Sequence, residues 1–235
     1  MNRKLSTDII FCLSVVGFFL PFFISTAVFN WYENFNLNHP MVMSFLKFAV
    51  LATLGEVIGL RIKTGKYTAN GFGIMPRAII WGLLGLTIKM AFVIFASGVP
   101  MFMEKIGVDG ALKMMSQPFS ASKLLVAFSI SAAMNLIYAP VMMTLHRITD
   151  THIVANGGQM NSLIKTIHFG KILREMDWGM QWNFVFKKTI PFFWIPAHTI
   201  TFLMPAEYRV LFAAVLGIVL GVLLAIAANK APSKA

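Results

Sequence analysis

The stretch that decides the fold runs from Ala78 to Gly98 and reads AIIWGLLGLTIKMAFVIFASG. A run of about 20 apolar residues is long enough to cross the hydrocarbon core of a bilayer as a helix, and this run reaches that length. Its one charged residue, Lys89, falls near the middle. A lysine at that depth costs about 2.5–3.5 kcal/mol on insertion scales, so it usually faces a water-filled cavity or a partner group. The stretch therefore predicts a membrane helix that carries a functional side chain.

The composition of the whole chain also indicates a membrane protein. Hydrophobic residues make up 57% of the chain and charged residues only 12%. The apolar residues occur in blocks of the spanning length, at residues 9–29, 41–60, 78–98, 124–145, 183–204 and 210–228. Backbone groups in lipid must be hydrogen-bonded within their own segment, so each block is predicted to be an α-helix. We expect an all-α, polytopic transmembrane bundle of about six helices, forming a single membrane domain over residues 1–235.

Basic residues alternate between the two sides of these blocks. The net charge of +11 is scattered between apolar blocks instead of forming one patch, which argues against a nucleic-acid partner. One side carries Arg3, Lys4, Arg61, Lys63, Lys66, Arg77, Arg147, Lys165, Lys171, Arg174, Lys230 and Lys234, and the other carries Lys105, Lys113 and Arg209. The positive-inside rule then predicts that both termini face the cytoplasm or matrix.

The first block has a second interpretation. Arg3 and Lys4, a phenylalanine-rich run and residues 25–27 (Ser-Thr-Ala) are also typical of a cleavable signal peptide. We favour an uncleaved span for two reasons. The apolar run is long for a signal core, and the alternation of basic residues between the two sides requires this first span. Cleavage before Val28 would leave five spans.

The polar stretch from Arg147 to Gln181 separates the fourth and fifth blocks, and residues 156–158 (Asn-Gly-Gly) predict a turn within it. Apolar and basic residues interleave over residues 163–174. This pattern predicts an amphipathic helix lying in the membrane interface, although an ordinary solvated helix fits it equally well.

Polar residues inside the blocks are the candidates for lining or gating a pathway. Asn135 falls near the centre of its block and shares a helical face with Ser131, Tyr138 and Met142. The alternative is that Asn135 only bonds a neighbouring helix, a contact worth about 0.6 kcal/mol on average in membranes. His198 is a further pore-lining candidate, against a packed, neutral histidine.

Glu56 is the acidic residue lying well within a block, and it is the natural counter-charge for Lys89. Snorkelling, or pairing with Arg61 or Arg77, are the alternatives for Glu56. Lys47 is predicted to snorkel towards the membrane surface.

Small residues recur at helix-packing spacing. Gly55 and Gly59 form one Gly-x-x-x-Gly pair, and Gly217 and Gly221 form another. This spacing lets two membrane helices approach closely, so all four glycines are predicted to pack helices.

The sequence lacks the usual signatures of an enzyme or a metal site. Cys12 is the only cysteine, which excludes a Cys-rich zinc site within one chain. His146, Asp150 and His152 cluster after the fourth block, but the two histidines miss the i, i+4 spacing of helical zinc ligands. We therefore predict no metal, no cofactor and no enzymatic activity.

Several motifs resemble one protein family. They are Gly55-Glu56, Arg77 before Gly82 and Gly85, residues 113–117 ending in Gln117, Trp194-Ile195-Pro196, Phe202 and residues 204–210, which read MPAEYRV. In this order they are similar to the Mpv-seventeen and 22-kDa peroxisomal membrane protein family, with Ser116 standing where that family has an aspartate. The resemblance implies a small multi-pass membrane protein, because the family lies in peroxisomal and mitochondrial inner membranes and some members are described as non-selective channels. It also implies roles for Gly55, Arg77, Gln117, Trp194, Pro196, Pro205 and Arg209.

The leading functional hypothesis is a narrow polar pathway for small solutes or ions, lined or gated by Lys89, Asn135, Glu56 and His198. The alternative is a membrane scaffold or assembly factor without transport, and a membrane-embedded enzyme using His146, Asp150 or His152 comes third. The expected partners are the lipid bilayer and small solutes, and a homo-oligomer is compatible with the sequence. Residues 232–235 carry no Ser-Lys-Leu address, so we expect a bacterial cytoplasmic membrane first and an organellar inner membrane second.

Overall fold

The computed structural model describes residues 3–230, without the side chains of residues 3, 4, 224, 225 and 227–230. Within this part all regular secondary structure is helical, and no strand is present. The α-helices are α1 (Arg3–Phe19), α2 (Pro21–Ile24), α3 (Thr26–Asn38), α4 (Pro40–Thr64), α5 (Ile74–Lys105), α6 (Ala111–Met114), α7 (Ala121–Ala155), α8 (Phe169–Glu175), α9 (Trp178–Met180), α10 (Ile195–Leu203) and α11 (Ala206–Lys230). A 3₁₀-helix covers Met160–Ile164 and a π-helix covers Gln181–Trp194. The side chains of Arg3, Lys4 and Lys230, and all of Lys234, which entered the charge alternation, lie outside the described residues.

The chain divides into two compact units, residues 1–43 and residues 44–235. The first unit contains α1, α2 and α3, and the second contains the elements from α5 onwards together with most of α4. The assignment of residues 1–235 to a single membrane domain stays a prediction.

Five helices of the described chain are long and apolar enough to cross a membrane. They are Leu5–Ile24, Pro40–Thr64, Ile74–Lys105, Ala121–Ala155 and Ala206–Leu223. Four of the predicted blocks, at residues 41–60, 78–98, 124–145 and 210–228, lie within or largely within such helices. The number of spans stays a prediction, because length and composition alone do not insert a helix.

The first predicted block ends earlier than expected. Helix α1 ends at Phe19, and α2 ends at Ile24 because Ser25 has an extended backbone (φ −111°). The Ser25 side chain then accepts a hydrogen bond from the Val28 amide at 3.4 Å, so it caps the next helix, α3. The prediction that residues 25–29 continue the first helix is therefore wrong.

The fifth predicted block, residues 183–204, is not one regular α-helix. It is π-helical as far as Trp194 and α-helical from Ile195, so it is absent from the five long α-helices. Pro191 and Pro196 both lack an amide hydrogen, which removes two donors from any α-helical pattern here. Thr189 Oγ1 donates to Phe184 O, five residues back, as the wider π-helical turn allows.

The connection between α7 and the π-helix also differs from its prediction. Helix α7 continues to Ala155, beyond the predicted end at residue 145. Gly157 and Gly158 then turn the chain with φ angles of 69° and 68°, which confirms the predicted turn. The amphipathic helix predicted over residues 163–174 is wrong, because the chain is 3₁₀-helical to Ile164, extended at Lys165 and α-helical only from Phe169.

Helix α7 lies at the centre of the second unit. Val126, Ala127 and Ile130 on α7 are completely buried. Many large apolar side chains of this unit face outward instead, including Val93, Ile94, Phe102, Leu136, Ile137 and Val141. A lipid environment favours this arrangement, in which the helices pack around α7 and apolar side chains cover the outer surface.

Glycines on α5 allow α4 to pack closely against it. A Cβ atom on Gly82 would lie 2.5 Å from the Phe45 ring, and one on Gly85 would lie 2.8 Å from Phe48 Cβ. Ser44 Oγ donates to Gly85 O at 2.7 Å across the same contact. This packing brings the far end of α4 beside the first turns of α5, where the charged residues of both helices meet.

Candidate functional site

One face of α7 carries a continuous polar stripe. The Ser131–Asn135–Tyr138 stripe expected from the sequence continues through His146 to Asp150, at spacings that keep these residues on one side of the helix. All of them except Ser131 line one cavity. The distance from Ser131 to Asp150 is about 28 Å at 1.5 Å per residue.

Glu56 and Arg77 form a buried ion pair at one end of this stripe. Arg77 Nη1 lies 2.7 Å from Glu56 Oε2, and the two side chains are 7% and 19% exposed. Arg77 Nη1 also contacts Asp150 Oδ1. A buried charge is costly unless it is paired. The two carboxylates and the guanidinium therefore stabilise one another, and removing one of them leaves the others without a partner.

The Arg77 side chain is fixed by further contacts from its own end of α5. Its Nε atom donates to Phe72 O at 2.6 Å, and the guanidinium carbon lies 4.5 Å from the centre of the Phe72 ring. The loop that holds Phe72 is itself locked to the turn after α7. Cβ atoms on Gly73 or Gly158 would overlap the facing backbone at 2.9 Å or less.

His146 and Trp81 complete the charged cluster through the second oxygen of Glu56. His146 Nε2 lies 3.2 Å from Glu56 Oε1, and Trp81 Nε1 donates to the same oxygen at 2.8 Å. The two rings meet edge to face with centres 4.2 Å apart. We call Glu56, Arg77, Trp81, His146 and Asp150 the rim cluster.

The rim cluster contains a group of potential metal ligands. Glu56, His146 and Asp150 present ligand atoms that all lie within 4.8 Å of one another. Arg77 Nη1 contacts both carboxylates of this group, so a guanidinium already supplies the positive charge between them. His152 belongs elsewhere, since its Nε2 atom lies 2.9 Å from Ser162 O.

Asn135 and His198 meet at the other end of the stripe. Asn135 is completely buried, and its Nδ2 atom lies 3.0 Å from His198 Nδ1 and 2.8 Å from Ser131 O. Ser131 Oγ donates to Ile195 O at 2.7 Å, which attaches the start of α10 to α7. The Trp194 ring lies 5.1 Å from the His198 ring, so an aromatic residue covers this pair.

A cavity of about 690 Å³ connects the two ends. Three of the four predicted pathway residues, Asn135, Glu56 and His198, lie in its wall. Tyr138 lies between them and shares a 2.7 Å hydrogen bond with Thr87 of α5. At the rim end the wall includes exposed residues such as Arg147, whereas Asn135 at the other end is sealed. The cavity therefore opens near the rim cluster and closes at Asn135–His198.

Lys89, the fourth predicted pathway residue, lies away from the cavity wall. It is half-buried on α5 and close enough to Lys47 for the two charges to interact. Its predicted pairing with Glu56 is wrong, because Glu56 bonds Arg77, Trp81 and His146 instead. Lys47 was expected to snorkel but is only 6% exposed.

The remaining motif residues occupy different places. Trp194 lies in the cavity wall, while Gln117 and Pro196 are exposed and lie outside it. Gln117 O accepts a hydrogen bond from Lys123 Nζ at 2.7 Å, beside the first turn of α7. Pro205 is exposed and immediately precedes α11.

Arg209 caps a helix. Its Nε atom donates to Met204 O at 2.9 Å and its Nη2 atom to Phe202 O at 3.0 Å. These carbonyl groups lie at the C-terminal end of α10, where helix carbonyls lack partners. The guanidinium also lies 5.5 Å from the centre of the fully buried Phe202 ring. Arg209 thus fixes the turn between α10 and α11.

The four predicted packing glycines bring α4 and α11 together. A Cβ atom on Gly55 would lie 2.9 Å from Ile218 Cα and 3.4 Å from Gly217 O. A Cβ atom on Gly59 would lie 3.6 Å from Gly221 O. By contrast, a Cβ atom on Gly217 would meet no atom within 4 Å, so Gly217 contributes its carbonyl group rather than its missing side chain.

The amino-acid sequence carries a partial signal that His146 and Asp150 belong to this stripe. The helical face of Asn135 and Tyr138 continues to His146 and Asp150 at the same spacing, but these two were considered only with His152, as a cluster past the fourth block. Extending the stripe past residue 145 would have predicted them. The pairing of Glu56 with Arg77, one of the alternatives given above, is confirmed. Nothing in the spacing predicted that Asp150 joins this pair.

Together these features define, over residues 3–230, an all-helical fold with five helices long and apolar enough to cross a membrane and a cavity with polar ends. No protein-family model matches the chain, and no curated protein or solved structure matches it. The resemblance to the Mpv-seventeen family therefore rests on the motifs alone.

Proposed function

We propose that this protein is an integral membrane protein that provides a narrow polar pathway for small solutes. The observation that carries the proposal is the cavity of about 690 Å³ whose wall joins the rim cluster to Asn135 and His198. Pockets of about 300–1,000 Å³ are typical of small-molecule sites. Polar and ionisable residues at membrane depth are costly and usually mark a solute or ion pathway.

Depth supports a pathway that is open on one side. Asn135 falls near the centre of residues 124–145, and Asp150 lies about 22 Å further along α7 at 1.5 Å per residue. The hydrocarbon core is about 30 Å thick, so the cavity reaches from one surface to about the middle. The exposed basic residues Lys63 and Arg147 line the cavity, and under the positive-inside rule they support a mouth on the cytoplasmic or matrix side.

The closed end supplies a gate. Asn135 and His198 bond each other, and the rings of Trp194 and Phe92 lie 5.1 and 5.6 Å from the His198 ring. A solute that crosses must separate Asn135 from His198. Small pathways commonly combine polar side chains with an apolar constriction in this way.

The resemblance to the Mpv-seventeen family supports the same proposal, since some members of that family are described as channels. A bacterial cytoplasmic membrane remains the proposed location and an organellar inner membrane the second. A scaffold without transport is the alternative that the test must separate.

The test is solute efflux from liposomes that contain the purified protein. Neutral and charged solutes of graded size are loaded, and their release is compared with release from empty liposomes. We expect release with a size limit, changed by Asn135→Leu and left unchanged by Lys89→Met, because Lys89 lies away from the cavity. Release equal to that of empty liposomes, from folded protein, would favour the scaffold instead.

A further inference from the structure

Arg77 has hydrogen-bonding capacity that the protein does not use. Its Nε and Nη1 atoms are occupied by Phe72 O, Glu56 and Asp150. Its Nη2 atom bonds no residue within the described part of the chain, although Arg77 is only 6% exposed. Nη2 is also not one of the fully enclosed polar atoms, so it keeps accessible surface, and Arg77 lines the cavity. A buried guanidinium on the cavity wall thus keeps one amine, Nη2, without a partner in the described part of the chain.

Two further donors of the cavity wall lack partners. Gln181 Nε2 and Trp194 Nε1 are enclosed and bond no other described residue. A buried donor without a partner is destabilising, and an acceptor bound beside it would offset that cost. The indole nitrogen can only donate, so a ligand that matches this wall must bring acceptor oxygens.

The charges of the wall disfavour a ligand with two negative charges. Cavity-lining carboxylates are Glu56, Asp150 and Asp177, and the cavity-lining cations are Lys63, Arg77 and Arg147. These formal charges balance, so the wall carries no excess positive charge that would attract a dianion. A dianion such as phosphate would be opposed by the carboxylates beside Arg77, whereas one carboxylate can use the guanidinium edge.

The wall also has a large apolar part. Five of its apolar members are Met134, Met142, Met143, Phe184 and Leu220. Methionine and aromatic side chains adapt to flexible apolar ligands, and they cannot hydrogen-bond a sugar-like solute. The ligand therefore has an apolar body attached to its acceptor group.

We propose that the cavity binds a small monocarboxylate with an apolar body, and that the Nη2 edge of Arg77 binds its carboxylate group. Glu56 and Asp150 hold the guanidinium through Nη1, which leaves Nη2 available to a ligand. The inference rests on the proposed function in one respect: the bound acid is taken to be the solute that the pathway carries. Binding itself can be measured without transport.

The test uses the whole protein in nanodiscs of phosphatidylcholine, with hexanoate as the probe. Hexanamide and hexylamine serve as neutral and cationic probes of the same length, and dissociation constants are measured by equilibrium dialysis. We expect hexanoate to bind more tightly than either analogue. A charge-assisted hydrogen bond contributes about 1.5–3 kcal/mol, so Arg77→Lys should weaken hexanoate binding about tenfold or more.

Arg77→Lys keeps a positive charge between Glu56 and Asp150, which preserves folding, but lysine lacks the second amine of the guanidinium. Lys188→Gln is the matched control, since Lys188 is exposed and lies outside the cavity. Equal binding of hexanoate and hexanamide would overturn the inference. So would tighter binding of hexylamine, or an Arg77→Lys protein that binds hexanoate as well as the wild type does.

Two more arms separate the remaining outcomes. One outcome is that added phosphatidylserine competes with hexanoate in the wild type but not in Arg77→Lys. In that case a lipid carboxylate binds the same Arg77 edge, and the inference stands. Hexanoate binding that depends on Arg77 without hexanoate flux would uphold the inference and contradict the proposed function. Flux of neutral solutes without hexanoate binding would uphold the proposed function and contradict the inference.

Discussion

At the scale of single residues, the Arg77 guanidinium organises the rim cluster. Its Nη1 atom contacts the carboxylates of Glu56 and Asp150, which belong to two different helices. Arg77 lies in the first turn of α5, Glu56 lies in the second half of α4, and Asp150 lies near the end of α7. One side chain therefore connects three helices at the mouth of the cavity.

Removing this charge should destabilise the protein strongly. Arg77→Met leaves two buried carboxylates without their cation, a loss of about 3–5 kcal/mol in the free energy of unfolding. The measurement is unfolding by sodium dodecyl sulfate in mixed micelles. Adding Glu56→Gln to the Arg77→Met protein should recover part of the loss, since one unpaired charge is removed. A second loss, additive with the first, would mean that the two side chains do not act as a set.

At the scale of helices, α4 and α11 meet through Gly55. Gly55→Ala places a methyl group 2.9 Å from the Ile218 backbone, which cannot yield as a flexible side chain would. Such overpacking costs about 1–3 kcal/mol. The same unfolding measurement on Gly217→Ala provides the control, because that methyl group meets open space. Equal stability of the two variants would contradict this close helix contact.

The turn between α10 and α11 depends on Arg209. Arg209→Gln removes both hydrogen bonds to the carbonyl groups of Phe202 and Met204, and each charge-assisted bond contributes about 1.5–3 kcal/mol. Hydrogen exchange of residues 200–210, followed by mass spectrometry, should become about tenfold faster or more. Arg174→Gln, on the exposed face of α8, should leave this exchange unchanged. Unchanged exchange in Arg209→Gln would show that the cap is dispensable.

The helices were predictable to different degrees. Length and apolarity alone predicted four of the long helices, because a lipid-exposed segment has few other ways to satisfy its backbone. The break at Ser25 was missed, since a serine cap is a local signal inside a run that stays apolar. The π-helical segment was missed because hydropathy does not distinguish helix types.

The candidate site was predictable only in part. Asn135, Glu56 and His198 were predicted one by one, from their polarity inside apolar blocks. Their partners depend on how distant helices pack: Glu56 pairs with Arg77 rather than with Lys89, which periodicity within one helix cannot reveal. Asp150 was considered only in a cluster with His146 and His152, and not as part of the Asn135 stripe, because α7 continues past the end of its apolar block.

At the scale of the whole molecule, the two ends of α5 should face opposite sides of the membrane. Its preceding loop contains Lys66 and its following loop contains Asp109, both exposed. In a Cys12→Ser background, Lys66→Cys should react with an impermeant thiol reagent only from the cytoplasmic or matrix side. Asp109→Cys should react only from the opposite side. Reaction of both from one side would contradict the membrane crossing of α5.

The most direct test of the central claim is whether the cavity carries the solute. In the Cys12→Ser background, Met142→Cys puts a thiol in the cavity wall, and Val141→Cys puts one on the 59% exposed face of the same helix. Liposome efflux is measured before and after treatment with a charged, water-soluble thiol reagent. We predict that the reagent modifies Met142→Cys and blocks efflux, while it leaves Val141→Cys unmodified and active. Efflux that continues unchanged after full modification of Met142→Cys would contradict a pathway through this cavity.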